Sequence, residues 1–245
     1  MNGGEIIRIE DLRFSYDGST PVLRGVSLRV REGESLAIMG RSGSGKTTLL
    51  KLVAGLLSPY QGQIELRVPP KKIGYVPQQI GLVRNLTAIQ NVLLGSLGRP
   101  GGPGRILGFF ERSEMEKAMG LLDDLGIAHL AHRKAALLSG GERQRVAVAR
   151  AFMQSPSLLL ADEFVSDLDI VNAIEVMRIT AEMCRKNKVT VLMTMHDAFL
   201  VRDFADRVAL IKYGRIVREL PAKELDPTSL AALLTGDVAE ADAKA

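Results

Sequence analysis

SLAIMGRSGSGKTT, residues 35–48, is a short apolar run that ends in a glycine-rich turn. SLAIMG (35–40) carries no alternation of polarity, which predicts a strand buried on both faces. A helix is expected to follow from about Lys46 to Leu57. The turn between them fits G-x-x-x-x-G-K-[ST] in the setting that pattern requires, after a strand and opening a helix. Gly40, Gly43 and Gly45 let the backbone curl so that amides along Arg41, Ser42 and Ser44 can point at phosphate oxygens. Lys46 can reach the β- and γ-phosphates of a nucleotide, and the hydroxyl of Thr47, next to Thr48, can ligate Mg²⁺. The stretch predicts a nucleotide phosphate loop in an α/β fold.

A phosphate loop needs a second acid on the metal side. SLLLADE (157–163) supplies Asp162 at the end of an apolar strand, with Glu163 directly after it. Asp162 is placed to accept from a water on Mg²⁺, and Glu163 to orient or deprotonate the attacking water. One acid there is an ordinary turn; two adjacent acids, in a chain with a phosphate loop, are a stronger signal. SLLLAD and VTVLMTMH (189–196) are apolar runs separated by a helical stretch from about Leu168 to Lys186, the alternation of a parallel sheet. Upstream, 6–16, 26–30, 64–68 and 72–78 read as strands, and RVALIKYGRIVREL (207–220) as a closing hairpin.

Between Gln79 and Leu138 the character turns helical. GSLGRPGGPGRILG (95–108) holds six glycines and two prolines and reads as a loop. Met115, Met119, Leu122 and Leu125 recur at helical spacing and are expected to form a core face. The tail, 237–245, reads as loose. With no internal repeat, one domain over 1–236 is expected.

The 245 residues are 46% hydrophobic, and the net charge is +4. Basic residues are interleaved with acids and aromatics are only 4%, so no nucleic-acid partner is expected. No apolar run reaches membrane-spanning length, and the N-terminus does not read as a secretory signal. The expectation is an intracellular soluble protein. The single cysteine, Cys184, reads as an inert thiol in a helix, and His129 and His132 as surface residues.

LSGGERQRVAVARAF (138–152) begins a helix with Ser139, an ordinary N-cap residue, and two glycines, each of which weakens a first turn. A tight turn would explain them, and so would an anion site at the positive end of the helix. At this point the chain resembles the nucleotide-binding subunits of ATP-binding cassette (ABC) transporters, from about Ile6 to Leu220, with LSGGERQR the most specific element. The resemblance implies a P-loop NTPase core of ABC ATPase type, with an N-terminal antiparallel β-subdomain and an inserted helical subdomain at about 79–155. It implies a head-to-tail dimer around two ATP molecules. Ser139, Gly140, Gly141 and Glu142 of one subunit would cover the γ-phosphate on the other's phosphate loop, which would explain glycines without a local role. It also implies that Tyr16 stacks on adenine, although a plain strand aromatic fits equally. Gln78, or its neighbour Gln79, would touch Mg²⁺ and the water, and His196 the γ-phosphate. Separate integral membrane permease subunits would bind the cassette at the cytoplasmic face of the inner membrane, served by an extracytoplasmic solute-binding protein.

Two residues depart from the family pattern. Phe164 stands where proline is usual, and Asp167, within SDLD (166–169), where a small residue is usual; Asp169 is the expected acid. The segment from Asn91 to Ile127 and ADEFVSDLD are similar to the phosphonate-transport ATPases of this family. Residues 95–110 are expected to meet the permease. Importers of other small anions, lipoprotein-releasing or efflux complexes, and a soluble ABC ATPase remain open. A P-loop kinase or GTPase has no use for LSGGE.

Overall fold

The computed structural model describes residues 4–98 and 110–226. Six strands form the central sheet in the order β5 (Ile73–Val76), β6 (Leu158–Asp162), β7 (Thr190–Met195), β3 (Ser35–Met39), β8 (Arg207–Lys212), β9 (Arg215–Pro221). The first five are parallel, and β9 returns antiparallel as the expected hairpin. A second, three-stranded antiparallel sheet has the order β2 (Pro21–Arg31), β1 (Glu5–Ser15), β4 (Gln61–Leu66).

The unbroken apolar runs have a simple cause: the central sheet is buried on both faces. Leu36, Ile38, Leu158 and Leu160 pack with helix α1 (Lys46–Val53) and the antiparallel sheet, through Leu49, Leu50, Ile7 and Ile9. Ala37, Met39, Leu159 and Ala161 face the other way, into a core built from α2 (Ala88–Leu93), α3 (Arg112–Asp124), α4 (Gly140–Phe152) and α5 (Ile170–Lys186). Helix α6 (Ala198–Phe204) follows β7.

Several boundaries differ from expectation for local reasons. Helix α1 stops at Val53, not Leu57, because Gly55 takes φ +71° and the amide of Leu56 closes back onto the Lys51 carbonyl at 2.9 Å. Helix α5 starts at Ile170, after Asp169, whose carboxylate accepts from the Asn172 amide at 3.0 Å. On α3 the buried stripe runs through Glu114, Ala118 and Leu122, with Leu125 just beyond the helix. Met119 is only partly buried against the core and Met115 is exposed, so Met115 is not a core residue. The glycine-rich loop lies mostly outside the described residues and the tail wholly so; Leu94–Ser96, where the loop begins, form a 3₁₀ turn. Cys184 is buried in α5, and burial pushes its thiol up to about 12. His129 and His132 are exposed. No helix among the described residues is long and apolar enough to cross a membrane.

Candidate functional site at the C-terminal ends of the parallel strands

The phosphate loop leaves the C-terminal end of β3, near the middle of the parallel sheet. Its glycines meet specific steric demands. A Cβ on Gly40 would lie 2.3 Å from the Ile211 carbonyl oxygen and 2.7 Å from Ser44 Oγ. Gly45 adopts φ +105°, and a Cβ there would lie 2.6 Å from Leu23 Cδ2. Helix α1 therefore begins at a left-handed glycine with no side-chain cap and no acid in its first turn. By contrast α4, α5 and α6 each have a side-chain cap. The exposed amide dipoles of α1 are left for an anion. Ser44 is buried, and its hydroxyl has no hydrogen-bond partner.

The Lys46 ammonium is buried and well partnered. It donates to the carbonyls of Gly40 at 2.9 Å and Arg41 at 3.3 Å, and lies 3.1 Å from Glu163 Oε1. A buried cation of this kind is tolerated only with such partners. Gln78, just past β5, donates from Nε2 to Glu163 Oε2 at 3.1 Å. The glutamine contacting Glu163 is therefore Gln78 and not Gln79. On the metal side, Thr47 Oγ1 donates to Asp162 Oδ1 at 3.1 Å.

Glu163 itself is held in the left-handed region at φ +40°. For a non-glycine residue that costs about 1–3 kcal/mol, persisting only where surrounding contacts impose it. Its amide donates to Thr194 Oγ1 at 2.9 Å and to the Thr194 carbonyl at 3.2 Å. Thr194 Oγ1 in turn donates to Asp162 Oδ1 at 2.6 Å. Asp162 and Thr194 are in-register neighbours on β6 and β7, so their side chains share a face. Phe164 turns into the core, with only 4% of its surface exposed, while Asp167 is exposed.

His196, directly after β7, lines a cavity of about 170 Å³ together with Glu163, Ser166 and Asp197. Tyr16 lies beside the phosphate loop: its hydroxyl is 3.2 Å from Thr48 Oγ1 and its exposed ring meets Phe14 edge-on at 4.8 Å. One chain therefore gathers Lys46, Thr47, Gln78, Asp162 and Glu163 into direct contact, with His196 and Tyr16 at the margins.

The LSGG segment opens its helix with Ser139 as the N-cap, as its sequence indicates. Ser139 Oγ accepts from the Glu142 amide at 3.3 Å, while the Glu142 carboxylate accepts from the Ser139 amide at 2.6 Å. This capping box holds the Glu142 carboxyl below its ordinary value, chiefly through the bond from the Ser139 backbone. Neighbouring side chains also pack close to the two glycines. A Cβ on Gly140 would lie 3.3 Å from Leu168 Cδ2, and one on Gly141 would lie 3.3 Å from Asn172 Oδ1. The hydroxyl hydrogen of Ser139 remains available to donate.

Thr194 is the residue that motif reading passes over. The available signal was a hydroxyl inside an apolar buried strand, two positions before His196.

Comparison with known proteins agrees with this geometry. Residues 23–166 match the ABC transporter family. The phosphonates import ATP-binding protein PhnC of Bordetella parapertussis is 37% identical over 248 aligned residues, covering 94% of this chain and 97% of that protein. The PhnC protein of Maricaulis maris is 36% identical, covering 91% of each. Among solved structures, an ATP-binding cassette determined as a dimer in a post-hydrolysis state with ADP and Pi superposes with a TM-score of 0.77 at 28% identity. It covers 89% of this chain and 100% of that one. The ADP conformation of a cassette from an ABC transporter gives 0.80 at 26% identity, covering 96% of each chain. On this evidence the chain belongs to the ABC transporter family, as an ATP-hydrolysing cassette.

Proposed function

We propose that this cassette powers import of phosphonate or a related small anion, as a dimer closing around two ATP molecules. It would sit peripherally on the cytoplasmic face of the inner membrane, bound to integral permease subunits and served indirectly by an extracytoplasmic solute-binding protein. The observation that carries the ATPase chemistry is the cluster of Lys46, Thr47, Gln78 and Asp162 around Glu163. Phosphonate rests on the names of the relatives, which align along nearly the whole chain.

Residues 1–236 act as one cassette in this reading, with the helical subdomain at about 79–155. The oxygen donors of Thr47 and Asp162, 3.1 Å apart, suit a hard divalent cation. Thr47, Asp162 and Gln78 would hold Mg²⁺, which when bound neutralises charge on the β- and γ-phosphates. Lys46 would exchange the Glu163 carboxylate for phosphate oxygens as the nucleotide enters. That exchange frees Glu163 to orient the attacking water and take its proton, with His196 donating to the γ-phosphate. Tyr16 would stack on adenine. Ser139, Gly140 and Gly141, with Glu142 as the cap that fixes them, would cover the γ-phosphate of the partner subunit. Support for that arrangement comes from exposed apolar side chains, Leu137 just before that segment and Ile170, Val171 and Ile174 at the start of the adjoining α5.

The test is affinity purification of the tagged chain from gently solubilised native membranes. A multi-span permease with a binding protein that takes phosphonates in a ligand screen is the expected result. Recovery of soluble partners alone, or of an exporter, would overturn the importer reading.

A further inference from the structure

We infer that Thr194 is a positioning residue for hydrolysis, fixing the metal-side carboxylate and the catalytic carboxylate as one unit. The inference rests on the roles proposed above for Asp162 and Glu163. Its basis is a single hydroxyl with two directed bonds: Thr194 Oγ1 donates to Asp162 Oδ1 at 2.6 Å and accepts from the Glu163 amide at 2.9 Å. The side chain is fully buried, so no water can replace it in either role.

Each bond constrains a different part of the site. Both hydrogen bonds of the Asp162 carboxylate fall on Oδ1, one from Thr47 and one from Thr194. When Thr47 turns to a metal ion, Thr194 is the contact that keeps Asp162 from rotating. On the other side, the bond to the Glu163 amide helps hold the left-handed backbone at φ +40°, which aims the Glu163 side chain at Lys46 and Gln78. A strained backbone turn of this kind relaxes when its contacts are removed. The in-register pairing of Asp162 with Thr194 makes the bridge possible, because neighbouring side chains on parallel strands point to one face.

The arrangement separates hydrolysis from binding. Nucleotide affinity depends chiefly on the phosphate loop, to which the Thr194 hydroxyl makes no direct hydrogen bond, whereas the rate depends on where Glu163 holds the water. Thr194→Val removes the hydroxyl at nearly constant volume, Thr194→Ala removes it without bulk, and Thr194→Ser retains it. Val and Ala are expected to lower kcat by about tenfold or more, with ATP affinity of the subunit changed by less than roughly threefold. Ser is expected to recover kcat to within about threefold of the wild type. Independently of activity, exchange of the Glu163 amide hydrogen in the nucleotide-free subunit should quicken by about threefold or more in Val and Ala, but not in Ser. A Val variant with wild-type kcat would overturn the inference, and so would a Ser variant as slow as Val or unaltered exchange at Glu163. Glu163→Gln serves as the control for the underlying reading. Wild-type hydrolysis by that variant would remove the catalytic role of Glu163, while the exchange data would still report on the Thr194 contact.

Discussion

Gly45 meets two demands that no other residue can satisfy together. Its φ of +105° is a conformation for which a side chain is strained, and the space where a Cβ would go is held by Leu23. Gly45→Ala is therefore expected to destabilise the fold by about 1–3 kcal/mol and to abolish nucleotide binding, because the amides of the turn lose their aim. Thermal unfolding and a fluorescent-nucleotide titration check both parts. The loop was legible in the sequence because glycine spacing records backbone geometry directly. Glu163 was legible as the second of two acids after an apolar strand and Gln78 only through resemblance, while their mutual contact depends on strands far apart in sequence. Thr194 was marked only as a hydroxyl within an apolar run, which does not reveal a hydrogen bond across to the neighbouring strand.

At the scale of elements, the start of α4 is the most instructive. The sequence marks Ser139 as an N-cap, and Ser139 and Glu142 cap each other's amides, while Leu168 and Asn172 pack close to the two glycines. The cap is local to four residues, whereas the approach of Leu168 and Asn172 depends on the segment packed beside the helix and was not legible. Ser139→Ala should cost about 1 kcal/mol as a lost cap, measurable by denaturant unfolding. Ser139→Arg should abolish hydrolysis while the isolated subunit still binds nucleotide; equal loss of both would place Ser139 within its own subunit's site. The cap also has a pH signature. The folded-state pKa of Glu142 lies below its ordinary value of 4.5, so its contribution is complete above that pH and is lost as pH falls through the folded value. Glu142→Gln keeps a side-chain acceptor at the same position. The stability difference between wild type and this variant should therefore shrink on acidification below pH 4.5.

For the whole molecule, the decisive feature is strand order. Alternating strands and helices predicted a parallel sheet, but the sequence does not carry the order β5-β6-β7-β3-β8-β9, because it is set by long-range pairing. That order brings the ends of β3, β5, β6 and β7 together, so that four remote segments share one site, as open parallel sheets characteristically arrange. Among the described residues the side-chain bonds of Ser139 go to Glu142 and not to its own phosphate loop, and Ile170 and Val171 are exposed. Both facts are explained if a second copy completes each ATP site. The measurement that tests this most directly is light scattering of Glu163→Gln with and without ATP. The account predicts that the variant binds ATP without hydrolysing it and doubles its mass only when ATP is present. A variant that stays monomeric with ATP and hydrolyses it at the wild-type rate would contradict both the catalytic role of Glu163 and the shared site.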